Sequence, residues 1–400
     1  MKRIFLIAAV MMFSALGCTQ PTLKESKTGA YDKWAKSRAK VLCSLASDHL
    51  YGGSMDNACR NAEEGLSLDP ENKELQLLLA KIYIEKGFYG RAIGLLQGLR
   101  QREQQEATAQ RSPIIAEVTY LLGAAQEKEG LLDEALASYT QAAEIDRSNA
   151  APILAATEVI VAQGDLQKAQ DFLTCHMGRY RPEAAIYELA GRLAMMRKQY
   201  AEAAKHFQMA CDMDSKNMRY PEMLATAQYA GGDYHRAGET LNRLLRRSDY
   251  KGPPWVYKLQ GDCLMAAQRF DPAQKAYQKA VDLRPEDPDS WARLAKAALA
   301  QNQLTKAIRS AYQARKLDTN HLEGGMILGF ALLKIDKPED AITVLSDIAK
   351  AHPDDDVVLC LLGRAYSKIG REDTAHKFYD AAARIRPGSV LSKELLASAK

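Results

Sequence analysis

Apolar and polar residues alternate with a helical period along almost the whole chain. Within stretches of about 12–14 residues, apolar positions recur at i, i+3, i+4 and i+7, which is typical of an amphipathic α-helix. Two such stretches follow one another, and the pair then recurs along the sequence. The pattern predicts a series of helix pairs.

A recurring alanine marks the second helix of each pair. Seven of the nine gaps between these alanines are 34 residues, and the other two are 43 and 36. Self-similarity at such a period is typical of repeat proteins. The ten positions are Ala58, Ala92, Ala135, Ala169, Ala203, Ala237, Ala273, Ala307, Ala341 and Ala375.

A small residue stands twelve positions before each of these alanines, on the first helix of the pair. Two antiparallel helices approach closely only where the facing residues are small, so these positions predict the contact within each pair. They are Ala46, Ala80, Gly123, Thr157, Gly191, Ala225, Gly261, Ala295, Gly329 and Gly363. Eight copies also carry a large residue four positions after the alanine, which we expect to fill the space between neighbouring pairs: Leu96, Tyr139, Leu173, Phe207, Leu241, Tyr277, Leu345 and Tyr379.

Glycines and prolines predict where the helices end. Four prolines follow the second stretch, where proline cannot continue a helix: Pro70, Pro285, Pro353 and Pro387. Six glycines lie between the two stretches of a pair, where a left-handed residue ends a helix: Gly53, Gly87, Gly130, Gly164, Gly232 and Gly370.

This arrangement resembles the tetratricopeptide repeat. The best copies are Leu294-Ala295 with Ala307 and Ala314, and Leu362-Gly363-Tyr366 with Ala375, Tyr379, Ala382 and Pro387. The resemblance implies an all-α fold, a right-handed superhelical solenoid of ten helix-turn-helix repeats within residues 30–388. The repeats begin near residues 39, 73, 116, 150, 184, 218, 254, 288, 322 and 356. We expect one continuous solenoid, closed by a capping helix at residues 389–400 and covered at its other end by Tyr31 and Trp34.

The first 17 residues are predicted to be an export signal. Lys2 and Arg3 precede an apolar run, Ile4–Phe13, which is too short to span about 30 Å of hydrocarbon. The segment resembles a bacterial lipoprotein signal ending at Cys18, with Ala15 and Leu16 in the reverse of the usual order. The resemblance implies a lipidated Cys18, a tether over residues 18–29, and an outer membrane location facing the periplasm. Secretory cleavage without lipidation and an uncleaved anchor are the alternatives.

Composition and motifs argue against several classes of function. The chain is 26% charged and 47% hydrophobic, and its net charge of +4 lacks the clustered basic footprint of a nucleic-acid-binding protein. No HExxH, GxxxxGK[ST] or GxGxxG motif is present, so we expect no catalytic residue, metal or cofactor. Cys175-His176 is interpreted as a packed pair, with a metal or nucleophilic site as the alternative. Residues 354–356, three aspartates, are interpreted as a helix-capping loop, with a cation site as the alternative.

Six cysteines follow Cys18. Cys43 and Cys59 lie on the two predicted helices of the first repeat, and an exported protein could join them in a disulfide. The alternative is that all six are small buried residues. The six are Cys43, Cys59, Cys175, Cys211, Cys263 and Cys360.

The family resemblance places a partner groove at positions 2, 5, 9, 12 and 13 of the first helices. In the later repeats these positions form an apolar, methionine-rich and aromatic stripe with a basic rim, which is typical of a partner site. The alternative is an average surface. Position 6, which carries an asparagine ladder in one subtype of the family, holds other residues here, such as Met223, Ile327 and Leu361. The predicted groove residues are Arg192, Met195, Met196, Tyr229, Trp255, Lys258, Met265, Lys296, Phe330 and Arg364.

These features predict a non-enzymatic protein-interaction scaffold, lipid-anchored in a bacterial envelope. By resemblance to envelope and pilus-assembly lipoproteins of this family, it would hold a peptide or helix of an envelope protein in its groove and assist assembly of a pilus, secretion or export complex. Two alternatives remain: an obligate accessory subunit of a polysaccharide synthesis or export enzyme, and a structural spacer without a specific ligand.

Overall fold

The computed structural model describes residues 23–105, 113–179 and 183–387. Every regular element within these residues is an α-helix, so the predicted all-α fold is confirmed. The predicted signal at residues 1–17, Cys18 and the predicted capping helix at 389–400 lie outside the described residues.

The chain divides into two compact units, Met1–Pro182 and Glu183–Lys400. Each unit has its own clusters of buried apolar residues; Leu75 belongs to one cluster of the first unit and Leu345 to one of the second.

The described residues of the first unit form four pairs of helices. They are α1 (Leu23–Tyr51) with α2 (Met55–Leu68), α3 (Lys73–Glu85) with α4 (Tyr89–Gln105), α5 (Pro113–Glu129) with α6 (Leu132–Ile145), and α7 (Ala151–Ala162) with α8 (Leu166–Met177). Helix α1 begins inside the segment predicted as a tether and is the longest of them, at 29 residues. Tyr31 and Trp34 extend it as predicted, but their side chains are exposed.

Within residues 183–387, the second unit has six pairs of helices. They are α9 (Ala184–Met196) with α10 (Tyr200–Met213), α11 (Arg219–Ala230) with α12 (Tyr234–Leu245), α13 (Pro254–Ala266) with α14 (Phe270–Leu283), α15 (Pro288–Ala300) with α16 (Leu304–Leu317), α17 (Leu322–Lys334) with α18 (Pro338–Ala351), and α19 (Asp356–Lys368) with α20 (Glu372–Ile385).

The small residues predicted to join the helices lie at the helix contacts. All ten recurring alanines of the second helices are fully buried. The large residue one turn later folds over the small residue of its own pair: a Cβ atom added at Gly191 would overlap the ring of Phe207. Such residues also reach the next pair, since Tyr139 packs with Ala156 and Val159. The expectation that they fill only the space between pairs was therefore incomplete.

A left-handed residue closes the turn inside every pair. The six predicted glycines all have positive φ, between 75° and 89°. Repeats five, seven, eight and nine use other residues at the same position, Lys198, Gln268, Asn302 and Asp336, with φ of 55–60°. The turn geometry is thus constant while its residue varies.

Candidate functional site

The first helices of the second unit form one layer. Helix α15 contacts α17, and α17 contacts α19, in addition to the contacts that each makes with its own pair. Helices α11 and α13 contact each other in the same way. On the exposed side of this layer, side chains from several repeats together line surface cavities.

One cavity lies across α9, α11 and α13. Its volume is about 430 Å³, and Met195, Met196 and Trp255 contribute its apolar wall. Met196 and Trp255 are 54% and 41% exposed, so both are available for contact. Arg192, Arg219 and Glu222 surround them.

The charges at this first cavity are partly engaged. Arg219 lies 3.6 Å from Glu188, which is on the preceding first helix. The Tyr250 hydroxyl donates a hydrogen bond to Glu222, and together with burial this carboxylate raises the pKa of Tyr250. The cavity therefore has a wall of methionine and tryptophan side chains and a rim that carries both positively and negatively charged residues.

A second cavity of about 430 Å³ lies across α15, α17 and α19. Its lining is almost entirely apolar, from Leu299, Met326, Phe330, Val357 and Leu361. Lys296, Glu323 and Arg364 stand at its rim. The Lys334 ammonium lies 5.5 Å from the centre of the Phe330 ring, within the range of a cation–π contact.

The predicted groove residues divide between these cavities and the space between them. Arg192, Met195, Met196 and Trp255 line the first, whereas Lys296, Phe330 and Arg364 line the second. Three others are engaged elsewhere: Tyr229 packs on Tyr234, Lys258 binds Asp287, and Met265 packs against the buried cluster that contains Tyr277.

Fewer basic residues at the rim of the groove are unpaired than the sequence predicts. The Lys258 ammonium lies 2.8 Å from Asp287, and the Lys296 ammonium lies 2.7 Å from Glu323. Arg364 is exposed and forms no ion pair within the described residues. It is therefore the cation at the second cavity that is available to an incoming carboxylate.

Position 6 of the first helices is the feature that sequence reasoning missed. Met223 lines the first cavity, and Ile327 and Leu361 line the second. Their apolar character at a position where one subtype carries asparagine was the available signal. Conversely, Ala292 and Leu333 occupy expected groove positions but are buried.

The structure shows no bond between Cys43 and Cys59. Both are free thiols, and both belong to the cluster around Ala39 and Ala58. The Cys59 thiol lies 3.5 Å from a carboxylate oxygen of Glu63, and burial, followed by this contact, raises its pKa. The possible Cys43–Cys59 disulfide is absent from this structure, and the alternative of six buried cysteines fails because Cys175 is exposed.

The two other candidate sites have structural explanations. The His176 ring packs on Phe172, with centres 4.4 Å apart, and its Nδ1 lies 2.7 Å from the Phe172 carbonyl oxygen. Asp355 caps α19, as its carboxylate accepts hydrogen bonds from the backbone N–H groups of Val357 and Val358. In the described part of the chain, no group of His, Cys, Asp and Glu residues is arranged to hold a metal ion. No described helix has both the length and the apolarity to cross a membrane.

Curated relatives match parts of the chain. Lipopolysaccharide assembly protein B of Escherichia coli K12 is 21% identical over 158 residues, which are 40% of this chain and 38% of that protein. Hsp70-Hsp90 organizing protein 3 of Arabidopsis thaliana is 24% identical over 189 residues, 45% of this chain and 32% of that protein. The matched part of the chain thus spans 38% and 32% of the length of these two relatives.

Family profiles match the repeats, and a solved structure of another protein is similar over much of the chain. The structure titled APC/C hetero-tetramer Cut9-Hcn1 covers 92% of this chain and 97% of its own, at 15% identity and a TM-score of 0.46. Profiles described as Tetratricopeptide repeat match residues 50–112, 116–149, 223–248, 258–320 and 328–390, well over half of the sequence. Together with the helix pairs, the buried alanines and the left-handed turns, these matches show that the chain belongs to the tetratricopeptide repeat family.

Proposed function

We propose that this protein is a non-enzymatic scaffold that holds a segment of a partner protein against the first-helix layer of residues 183–387. The observation that carries the proposal is the pair of apolar cavities on that layer, each about 430 Å³ and each with charged residues at its rim. Apolar surface with polar surroundings is typical of a binding site for another protein.

The composition of the cavities supports an extended or helical peptide as the occupant. Methionine side chains such as Met196 and Met326 adapt to different partner residues, and Trp255 and Phe330 offer large faces for contact. The cavities are separated along the layer, so a peptide that follows the layer would place one apolar residue in each.

We further propose that the scaffold works in a bacterial envelope, attached through a lipid on Cys18. The support is the sequence of residues 1–18 and its resemblance to a lipoprotein signal. Lipopolysaccharide assembly protein B, one of the relatives, has a name that concerns an envelope component. A partner that takes part in assembling an envelope complex is the corresponding expectation.

The groove proposal is tested by crosslinked capture from native membranes. The Met196→Glu/Trp255→Ala variant changes two exposed residues of the first cavity, so we expect it to fold normally and to lose partner capture. A matched control, Met213→Glu/Tyr312→Ala, makes comparable changes at exposed residues of second helices. Equal capture by both variants would place the interface elsewhere, and no capture by the unmodified chain would favour a spacer.

The anchor proposal needs a separate measurement. Cys18→Ser removes the residue that would carry the lipid, so we expect the protein to move from the membrane fraction to the soluble fraction. Intact-mass measurement of the unmodified chain should show acyl groups on Cys18. An unmodified Cys18 in the mature protein would contradict the anchor while leaving the groove proposal untouched.

A further inference from the structure

The second cavity carries more positive than negative charge around its apolar lining. Lys296, Glu323 and Arg364 line it, and the Lys334 ammonium lies 5.5 Å from the centre of the Phe330 ring, which is part of the same lining. The Glu323 carboxylate lies 2.7 Å from the Lys296 ammonium, so this acid is already paired. The positive charges of Arg364 and Lys334 are left over.

Both of these cations are open to solvent. Arg364 and Lys334 are exposed, and neither forms an ion pair within the described residues. A guanidinium holds its N–H donors in the geometry that a carboxylate accepts, and such a pair is stronger than one between neutral groups. Arg364 at the edge of an apolar cavity therefore favours an occupant with a carboxylate beside an apolar group.

The acids that follow these cations in the chain are engaged with other groups. The Asp336 carboxylate lies 2.6 Å from the Lys368 ammonium. Glu372, in the first turn of α20, accepts a hydrogen bond from the Ser367 hydroxyl. Neither acid belongs to the lining of the cavity. The surroundings of the second cavity therefore keep their excess of positive charge.

The first cavity is balanced in charge, which distinguishes it from the second. Arg192, Arg219 and Glu222 stand at its rim, and Arg219 lies 3.6 Å from Glu188 on the preceding first helix. Two cations thus accompany two acids. An acidic residue of a partner is therefore attracted to the second cavity more strongly than to the first.

We propose that the segment held at the second cavity carries an acidic side chain, Asp or Glu, within four residues of a large apolar residue. The apolar residue lies against Met326 and Phe330, and the carboxylate accepts hydrogen bonds from the Arg364 guanidinium. Side chains two residues apart on a strand, or three or four apart on a helix, share one face, so either form of segment satisfies this spacing. The inference rests on the proposed scaffold function and specifies the chemistry of its partner.

The proposal is tested by selecting peptides from a phage-displayed library of random sequences on the full chain carrying Cys18→Ser. We expect selected peptides to place Asp or Glu within four residues of a large apolar residue. On Arg364→Glu, Lys or Arg should replace these acids, because the charge of the site is reversed. The control Arg384→Glu reverses an exposed arginine on the second helix of the same repeat and should select acids as the parent does. Equal selection of acids by both variants would overturn the proposal.

The affinity of one selected peptide separates the Arg364 contact from general attraction between charges. Replacing its acid by the corresponding amide should weaken binding to the parent about fivefold, which is the upper range for an exposed ion pair. The same replacement should leave binding to Arg364→Gln unchanged, since the partner of the acid is gone. Fluorescence anisotropy of the labelled peptides measures both effects. Equal weakening in the two proteins would contradict the assignment to Arg364.

One further variant distinguishes failure of this inference from failure of the proposed function. Met326→Gln places an amide in the apolar lining, so peptides held at the second cavity should bind it more weakly. Peptides that require Met326 but show no preference for acids would overturn this inference alone. Absence of any selected peptide, or equal binding of all selected peptides to the parent, Met326→Gln and Met196→Glu/Trp255→Ala, would overturn the scaffold proposal with it.

Discussion

At the scale of single residues, the turn inside each pair requires one backbone conformation but accepts several residue types. All ten turns of the described pairs have one left-handed residue, and six of these are glycine. Glycine adopts this conformation without strain, whereas a side chain raises its energy by about 1–2 kcal/mol. Glycine would therefore be more stable than the residues that occupy the other four turns, which are Lys198, Gln268, Asn302 and Asp336.

One substitution should have opposite effects at two glycines. Gly130→Ala places a side chain at φ of 89°, and we expect it to reduce the free energy of unfolding by about 1 kcal/mol. Gly98→Ala, inside α4 where an added Cβ meets no atom within 4 Å, should increase it by about 0.5–1 kcal/mol. Urea denaturation of the two variants checks the difference, and changes of the same sign would contradict it.

The cysteines should differ sharply in reactivity. Cys175 is exposed, whereas burial, followed by the charge of Asp262, raises the pKa of Cys263 to about 12. A thiol reagent at neutral pH should label Cys175 rapidly in the folded protein and Cys263 only after denaturation, because the thiolate is the reactive form. Peptide mass spectrometry should also find Cys43 and Cys59 labelled after denaturation without reductant. An unlabelled pair would show that the disulfide forms after all.

At the scale of helices, the volume of the facing residues is matched within each pair. Every aromatic residue one turn after the recurring alanine faces a glycine: Tyr139 faces Gly123, Phe207 faces Gly191, Tyr277 faces Gly261 and Tyr379 faces Gly363. Where the first helix has alanine, the facing residue is smaller, as with Leu241 opposite Ala225. The aromatic residues at this position therefore occur only opposite glycine.

This matching predicts a compensating pair of substitutions. Gly191→Ala alone should cost about 1–3 kcal/mol, because the new methyl group overlaps the Phe207 ring. Phe207→Leu alone should also destabilise, because it leaves space beside Gly191. The double variant reproduces the combination of Ala225 and Leu241, so its loss should be clearly smaller than the sum of the two. Thermal unfolding of the four proteins gives the coupling, and additive losses would contradict the matching.

At the scale of the whole molecule, the periodic spacing of residues predicted the helix pairs, whereas the sequence did not predict which charged residues form ion pairs. The helix pairs, the buried alanines and the six glycine turns follow from spacing alone, since each depends on contacts within about 34 residues. The ion pairs of Lys258 with Asp287 and Lys296 with Glu323 join neighbouring repeats. Sequence inspection could not find them, because whether two charges meet depends on side-chain geometry across a repeat boundary. The division at Pro182 likewise has no periodic signal.

The Lys258–Asp287 pair allows a test of how stability is distributed in the second unit. Burial alone would raise the pKa of Asp287, but hydrogen bonds from Lys258 and Ser290 hold it below its usual value of 3.8. Stability from this pair is therefore present above pH 3.8 and is lost as the pH falls through the lower pKa of the folded state. Lys258→Met should cost about 1–3 kcal/mol at neutral pH, and the difference from the parent should shrink in acid.

The effect of Lys258→Met should also be local. Repeat proteins are stabilised by contacts between neighbouring repeats, so loss of one contact mainly weakens the repeats beside it. Hydrogen exchange should accelerate in α13, α14 and α15, which adjoin the pair, and change little in α18–α20. An equivalent change that replaces Lys368, whose partner Asp336 is largely exposed, should have a smaller effect because water screens that pair. Uniform acceleration over residues 183–387 would instead mean that the second unit opens as one cooperative body, with the ion pair stabilising all six helix pairs together.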